Sequence, residues 1–239
     1  STDVQADVAV IGAGPGGYVA AIRAAQLGLR VAVIEKEFVG GTCLNVGCIP
    51  SKALLDASHL FSEIKRASVF GIQVEGASVD FATMQRYKYQ VVKALTTGVR
   101  GLLKRHGVKQ LDGTARFMAP GVLDVQSPKE PSLTVCVDNV IIATGSVPLA
   151  LPGVPFDDNV VISSRRALEL ETVPDRLVVI GAGYIGLELA SVYSRLGTEV
   201  VVLEMMDRVL PDMDAEVAAL AHKLLGQQGL DIRLGARVI

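Results

Sequence analysis

The chain has 239 residues, half of them hydrophobic, with 23 basic and 25 acidic side chains and a net charge of −2. That length supports one large or two modest domains with real cores. The near-neutral balance, with no long basic run, argues against a nucleic-acid surface.

Residues 7–11 read as a short apolar strand. Gly12-Ala13-Gly14-Pro15-Gly16-Gly17 follows, then a helix through Leu27 that Gly28 closes. Residues 31–34 are a second strand, ending in Glu35. Strand, GxGxxG, helix, strand and acid make the dinucleotide-binding fingerprint in its required context. Gly12 permits the tight turn, Gly14 lets backbone approach a pyrophosphate, and Gly17 lets the helix pack on the strand. Glu35 is positioned to accept hydrogen bonds from a ribose. The alternative is a strand–helix turn whose glycines are purely structural.

A glycine-rich stretch follows, Gly40-Gly41-Thr42-Cys43-Leu44-Asn45-Val46-Gly47-Cys48-Ile49-Pro50-Ser51-Lys52. It reads as a loop running into a helix over 49–66. Cys48 lies just before Pro50, a residue suited to a helix's first turn. A thiol there faces unpaired backbone N–H groups and the positive end of the helix dipole, the setting of reactive cysteines. Gly41 and Gly47 allow the bend that brings the two sulfurs together. The pair is expected to be a redox disulfide that opens and closes during turnover. A structural zinc site needs four ligands, but the chain has one wrongly spaced pair and a distant Cys136, so no metal site is expected. A structural disulfide suits a small secreted domain, whereas three cysteines in a chain of this length suit a reducing compartment. Two inert buried thiols remain the alternative.

Asp80 is a suitable N-cap for another helix, with Phe81, Met84, Val91, Leu95, Val99 and Leu102 as its apolar face and Gly107 as its stop. Tyr87 and Tyr89 read as packing or surface residues. From 109 to 142 the period becomes strand-like, divided at Asp112-Gly113, Pro120-Gly121 and Ser127-Pro128. The last of these strands, 140–143, runs into Thr144-Gly145, a place for backbone to approach a ligand or equally a turn. Residues 148–155 hold three prolines and read as a domain boundary, followed by a connecting segment with a short helix over 157–172. The longest uncharged run, 139–156, contains these prolines and reads as no membrane helix.

The first pattern then returns. Strand 177–180 leads to Gly181-Ala182-Gly183-Tyr184-Ile185-Gly186, a helix to Leu196, and strand 200–203 ending in Glu204. Residues 11–35 and 180–204 align without a gap. Two fingerprints imply two dinucleotides. A helix over 212–228 and a strand over 230–239 follow. A parallel sheet ending there has a bare edge, and the chain lacks an initiating Met, so it is expected to be an excerpt of a longer polypeptide.

A dithiol behind one dinucleotide fold, with a second downstream, implies an electron path from cysteines through a flavin to a nicotinamide. The first fold, 1–149, is expected to hold FAD and the second, 150–239, NAD. Glu204 disfavours a 2′-phosphate, because like charges at ~4 Å cost on the order of 4 kcal/mol at an effective dielectric of about 20. Met205 and Met206 offer no offsetting charge, and Arg208 lies further on.

The segment 40–54 resembles the active-site stretch of the pyridine nucleotide–disulfide oxidoreductases, and within them most closely that of the dihydrolipoamide-oxidising, NAD-reducing branch. The resemblance runs from the first fingerprint through Thr144-Gly145 to the helix after Glu204. It implies an α/β chain of two Rossmann-like domains, FAD then NAD. It implies that dihydrolipoamide on the lipoyl carrier domain of a 2-oxo acid dehydrogenase or glycine cleavage complex is oxidised to lipoamide as NAD is reduced. Cys43 is then the thiol that meets substrate and Cys48 the thiol that faces the flavin. Lys52 contacts the flavin and pairs with Glu188. Tyr184 covers the flavin until nicotinamide arrives. The implied FAD contacts are Gly12, Gly14, Pro15, Gly17, Glu35, Lys36, Gly41, Thr42, Lys52, Thr144 and Gly145. The implied NAD contacts are Gly181, Gly183, Tyr184, Ile185, Gly186 and Glu204. A homodimer in a bacterial cytoplasm or mitochondrial matrix is expected.

The chain also departs from the family pattern. None of His59, His106 and His222 lies in the setting of the family's catalytic base. The later flavin-binding motif and the dimerisation domain are absent, and Ser163-Ser164-Arg165-Arg166 replaces a Ser-Thr-Gly-like run. The chain alone is not expected to turn over efficiently. The competing readings are a sibling reductase of glutathione-like or mercuric substrates, which Glu204 and the wording of 44–49 disfavour, and a non-catalytic flavin-bound redox sensor.

Overall fold

The structure, a computed structural model, describes residues 4–127 and 131–238. The chain forms two compact units, Ser1–Ile49 with Gln90–Val147, and Pro50–Tyr89 with Pro148–Ile239. This differs from a single cut near residue 149, because 50–89 belongs with the second unit.

In the first unit β1 (Val4–Ile11), α1 (Pro15–Gln26) and β2 (Val31–Glu35) realise the first fingerprint. The cysteine region is not an open loop. It forms a short helix α2 (Gly41–Val46), and α3 (Cys48–Arg66) begins at Cys48 rather than Ile49. Two devices explain this. The Asn45 amide donates to the carbonyls of Val39 and Gly41 at 3.1 and 2.9 Å, tying the turn together. Gly47 then breaks the helix where a Cβ would lie 2.9 Å from the Thr42 carbonyl oxygen. Pro50 sits in the first turn of α3, where its missing N–H costs no helical bond.

The helix α4 (Phe81–Arg105) is capped by Asp80, whose carboxylate accepts from the Thr83 N–H at 3.0 Å. Its buried face includes Phe81, Val99 and Leu103, while Leu95 is exposed and Leu102 is half-buried. The expected apolar face is therefore rotated by one residue near its end. Strands β3 (Lys109–Asp112), β4 (Thr114–Ala119), β5 (Val122–Gln126) and β6 (Leu133–Ile142) follow. Strand β6 is longer than the expected 140–143, because its first half pairs antiparallel with β5 and most of its length pairs parallel with β1. The expected turn at Ser127-Pro128 lies partly outside the described residues.

The six strands run in the order β3-β2-β1-β6-β5-β4. Strands β3, β2, β1 and β6 are parallel, and β5 and β4 extend the sheet as an antiparallel meander. Both faces of its centre are buried. Val8, Val10, Val31 and Val33 pack on one side, and Ala9, Ala32 and Ile34 on the other. This is why β1 and β2 read as continuous apolar runs rather than alternating ones.

In the second unit α5 (Ser164–Ala167) precedes β7 (Arg176–Ile180), α6 (Tyr184–Leu196), β8 (Glu199–Leu203), α7 (Ala215–Gln227) and β9 (Asp231–Arg233). The parallel sheet runs β7-β8-β9. The expected strand over 230–239 is only three residues long. Its chain turns at Gly235, whose N–H donates to Met206 while Ala236 donates to Glu204, both at 2.9 Å; Ile239 lies outside the described residues.

Residues 50–89 join this unit through apolar burial. Leu54 packs with Ala167, Leu168, Leu189 and Val192, and Phe81 packs with Tyr193 and Val200. Burial of Leu54 and of Phe81 contributes about 1.5–3 kcal/mol each. Lys88 is buried beside them, and its ammonium donates to the Leu168 carbonyl at 2.5 Å and to Glu169 at 3.3 Å. Tyr89 donates to the other Glu169 oxygen. Among the described residues no helix is long and apolar enough to cross a membrane.

Two glycines of the first unit separate packing from propensity. A Cβ on Gly17 would lie 1.8 Å from the Gly12 carbonyl oxygen, whereas one on Gly98, inside α4, meets nothing within 4 Å. Gly98→Ala is expected to stabilise by up to about 1 kcal/mol, and Gly17→Ala to destabilise by about 1–3 kcal/mol or more. Urea unfolding of the cofactor-free protein measures both; equal midpoints contradict the packing account. Tyr89 supplies a second test. Burial first, and its bond to Glu169 second, push its hydroxyl up to about 12 from 10. The folded state therefore holds that proton more tightly, and the stability it adds is full below pH 10 and lost as pH rises through about 12. Tyr89→Phe should flatten that loss in denaturation curves across the same interval.

Candidate dinucleotide and dithiol sites

Each fingerprint folds into a cradle at the carboxyl end of its first strand. In the first unit Gly12, at φ +101°, turns the chain out of β1. A Cβ there would lie 2.2 Å from the Ala143 carbonyl oxygen, so the glycine loop lies against the end of β6, where Thr144 and Gly145 follow. Ligands of open parallel sheets bind at such a place, between the central strand and a neighbour reached by crossover. Gly14 is the N-cap of α1 and Pro15 opens the helix, with no side chain capping it. The first-turn N–H groups are thus presented to an anion rather than consumed internally.

The dithiol segment is built onto this cradle. A Cβ on Gly41 would lie 2.5 Å from Gly14 Cα, so α2 begins in backbone contact with the glycine loop. Gly41 is also left-handed, at φ +58°. Cys43 is half-buried against the core that contains Val8 and Val10, and Cys48 is exposed at the start of α3. Lys36 and Thr42 are exposed beside these elements. Cys136 lies on β6, away from the pair in sequence and half-buried.

The second unit repeats the geometry. Gly181 has φ +100°, and a Cβ on Gly186 would lie 2.4 Å from the Gly181 carbonyl oxygen, the counterpart of Gly17 over Gly12. Gly183 is the N-cap of α6, again without a side-chain cap, and Tyr184 and Ile185 stand exposed in the first turn.

The two acids differ from the sequence expectation in one respect. Each is already bonded to backbone. Glu35 accepts from the Ala13 N–H at 2.7 Å through one oxygen and from the Glu37 and Phe38 N–H groups at 2.8 and 3.2 Å through the other. Glu204 accepts from the Ala182 N–H at 2.7 Å and from the Met206 N–H at 2.9 Å, again through separate oxygens. Glu204 is 7% exposed. The Arg208 guanidinium donates to the Pro211 carbonyl at 2.5 Å.

Lys52 and Glu188 meet within the second unit. The Lys52 ammonium donates to both Glu188 oxygens at 2.7 and 2.9 Å. Ser51 adds a hydroxyl bond to the same carboxylate at 3.1 Å, a contact the sequence reading missed. Only its place beside Lys52 could have hinted at it. Arg166, unexplained in the sequence, braces the connecting segment by donating to the carbonyls of Asp158 and Glu169 at 3.2 and 3.0 Å.

Both cradles fit a dinucleotide: uncapped helix N-termini offer N–H donors, glycines leave room for close approach, and a carboxylate at the end of the next strand is bonded to the glycine loop. Gly41→Ala, by driving a methyl against Gly14, should weaken binding of FAD to the first cradle by about tenfold or more. Retention of FAD after gel filtration reads this out; unchanged retention contradicts the contact.

Comparison with known proteins agrees with this geometry. Residues 6–239 match the family model of the pyridine nucleotide-disulphide oxidoreductases. The chain is 46% identical over 235 residues to the mitochondrial dihydrolipoyl dehydrogenase of Pisum sativum, covering 98% of this chain and 47% of that protein. It is 49% identical over 236 residues to dihydrolipoyl dehydrogenase 3 of Pseudomonas aeruginosa, covering 98% and 50%. A Cu(II) complex of a mutant HOCl-induced flavoprotein disulfide reductase from Escherichia coli superposes with a TM-score of 0.81 at 30% identity, covering 98% of this chain and 50% of that one. The chain spans about half the length of the curated relatives it matches. Family membership implies FAD and NAD as the two dinucleotides. Two glycine cradles, the Cys43 helix packed on the first, and a family match across nearly the whole length make this chain a member of the pyridine nucleotide-disulphide oxidoreductase family.

Proposed function

We propose that the chain is the dinucleotide-binding part of a dihydrolipoyl dehydrogenase, oxidising protein-bound dihydrolipoamide to lipoamide with reduction of NAD. The observation that carries the reading is the seating of α2 on the first glycine cradle through Gly41 and Gly14. It ties the helix that carries Cys43, with Cys48 opening the next helix, to a dinucleotide site rather than leaving it on an unrelated surface. The relatives that carry this name, at 46–49% identity, support the substrate choice.

In this reading the first unit's cradle and the 144–145 turn hold FAD, and the second unit's cradle holds NAD. Bound FAD supplies a two-electron carrier between dithiol and nicotinamide. A thiolate of dihydrolipoamide attacks the Cys43 sulfur of a Cys43–Cys48 disulfide, breaking that bond and releasing Cys48 as thiolate. The second substrate thiol then displaces Cys43 from the mixed disulfide, closing lipoamide. The substrate has lost two electrons and two protons. The pair is reduced and ready to be reoxidised at the expense of NAD, which takes up a hydride while one proton is released. Lys52, four residues beyond Cys48 on α3, would by the family resemblance be the cation of the flavin site; the Glu188 carboxylate, which also accepts from Ser51, holds its ammonium. By the family resemblance, Tyr184 would cover the flavin until nicotinamide binds. The partner is a lipoyl carrier domain, the assembly a homodimer, and the compartment a bacterial cytoplasm or mitochondrial matrix.

Steady-state formation of NADH from dihydrolipoamide by the intact protein tests the reading, and its absence in the FAD-loaded enzyme rejects it. Cys43→Ser and Cys48→Ser should each abolish this activity. Only Cys48→Ser should also remove the long-wavelength absorbance of the two-electron-reduced protein, and identical spectra overturn the division of roles. Glu204→Ala should narrow the preference for NAD over NADP at least about tenfold, one third of the estimated Coulomb cost. An unchanged ratio removes Glu204 from cofactor selection.

A further inference from the structure

The acid that ends the second strand of each fingerprint does more in this structure than stand ready for a ribose. The same four-point arrangement occurs twice. In the first unit one Glu35 oxygen holds the Ala13 N–H, the other holds the Glu37 N–H, and the Ala13 carbonyl accepts from the Gly40 N–H at 2.8 Å. In the second, one Glu204 oxygen holds the Ala182 N–H, the other holds the Met206 N–H, and the Ala182 carbonyl accepts from the Leu210 N–H at 2.9 Å. The preceding glycine is fixed as well, since Gly12 and Gly181 each donate to the last residue before the acid, both at 2.8 Å. The residue between the first two glycines is thus held by its N–H and by its carbonyl. Its neighbour, Gly14 or Gly183, is the N-cap of the helix that faces the dinucleotide.

We infer that Glu35 and Glu204 are positioning residues that lock the glycine loops, so that the helix N–H groups are aimed at a pyrophosphate before any dinucleotide arrives. Such a lock removes loop ordering from the cost of binding. It also explains the residue type. Each carboxylate uses its two oxygens for two different N–H donors, and a glutamine has one oxygen, so its amide hydrogens would confront one of those donors. The ribose hydroxyl is then a third demand on a group already fixed at both oxygens. Glu204, the more buried of the two, is held between two backbone segments and is not placed to swing aside for a 2′-phosphate.

This inference rests on the proposed NAD site of the second unit and separates from it by experiment. NAD and its adenosine 2′-deoxy analogue are titrated calorimetrically into the wild-type protein and Glu204→Gln, at a temperature where unfolding curves show both folded. A residue acting only through the ribose loses affinity for NAD and not for the deoxy analogue. A residue acting only on stability changes neither. The lock predicts the same loss for both ligands, about tenfold or more. A loss confined to NAD, or none for either ligand, overturns it. Hydrogen exchange on the ligand-free wild-type protein decides the matter without the variant or the cofactor. The Ala182 and Met206 amides should exchange as slowly as those inside β8, and exchange at the rate of an unstructured peptide overturns the lock. Wild-type protein that shows slow exchange but binds no NAD instead rejects the cofactor assignment and leaves the lock standing.

Discussion

The structure depends on backbone meeting backbone at glycine. Gly17 rests over the Gly12 carbonyl, Gly186 over the Gly181 carbonyl, and Gly41 against Gly14, each at a distance that a Cβ would violate. The first two contacts let a helix begin directly above the end of a parallel strand. The third attaches the cysteine helix to the first cradle. A side chain at any of these points would separate elements whose N–H groups must converge on one anion. The apolar runs of β1 and β2 then supply the adhesion that holds the geometry, with both faces of the sheet buried.

The acids complete that design by chemistry rather than packing. A loop of Gly-Ala-Gly has no side chain with which to fix itself, and its freedom would otherwise be lost on binding. A carboxylate reaching across from the next strand provides the missing constraint in both units. The second unit adds another polar constraint of its own. Lys88, buried beside α5, donates to the Leu168 carbonyl and to Glu169. Desolvation lowers its pKa, and the nearby Glu169 charge partly offsets this. A lone ammonium there would be costly, and the carbonyl and carboxylate are what make its burial tolerable.

The parts legible in the sequence are those governed by local backbone demands. Glycine spacing, a following strand and a terminal acid have few structural solutions, so both fingerprints could be placed from residues 11–35 and 180–204. The cap at Asp80 and the stop at Gly107 are equally local. The parts that escaped depend on distant partners. The helical form of 41–46 needs Gly41 packed on Gly14 and the Asn45 amide folded back on the turn. The membership of 50–89 in the second unit needs Leu54 and Phe81 to find partners more than a hundred residues later. Ser51 beside Glu188, and the backbone bonds of Glu35 and Glu204, carry no pattern that a linear reading could weigh. The pairing of Lys52 with Glu188 follows in the sequence only from family resemblance, and the structure brings the two together.

The measurement that tests the central claim most directly is anaerobic reduction of the FAD-loaded intact protein by dihydrolipoamide, followed by visible absorbance and then by addition of NAD. The account predicts that the flavin band gains a long-wavelength shoulder on adding dithiol, and that NAD restores the oxidised spectrum as NADH forms. A flavin that ignores dihydrolipoamide but is reduced by NADPH would contradict it and point to a sibling disulfide reductase on the same fold.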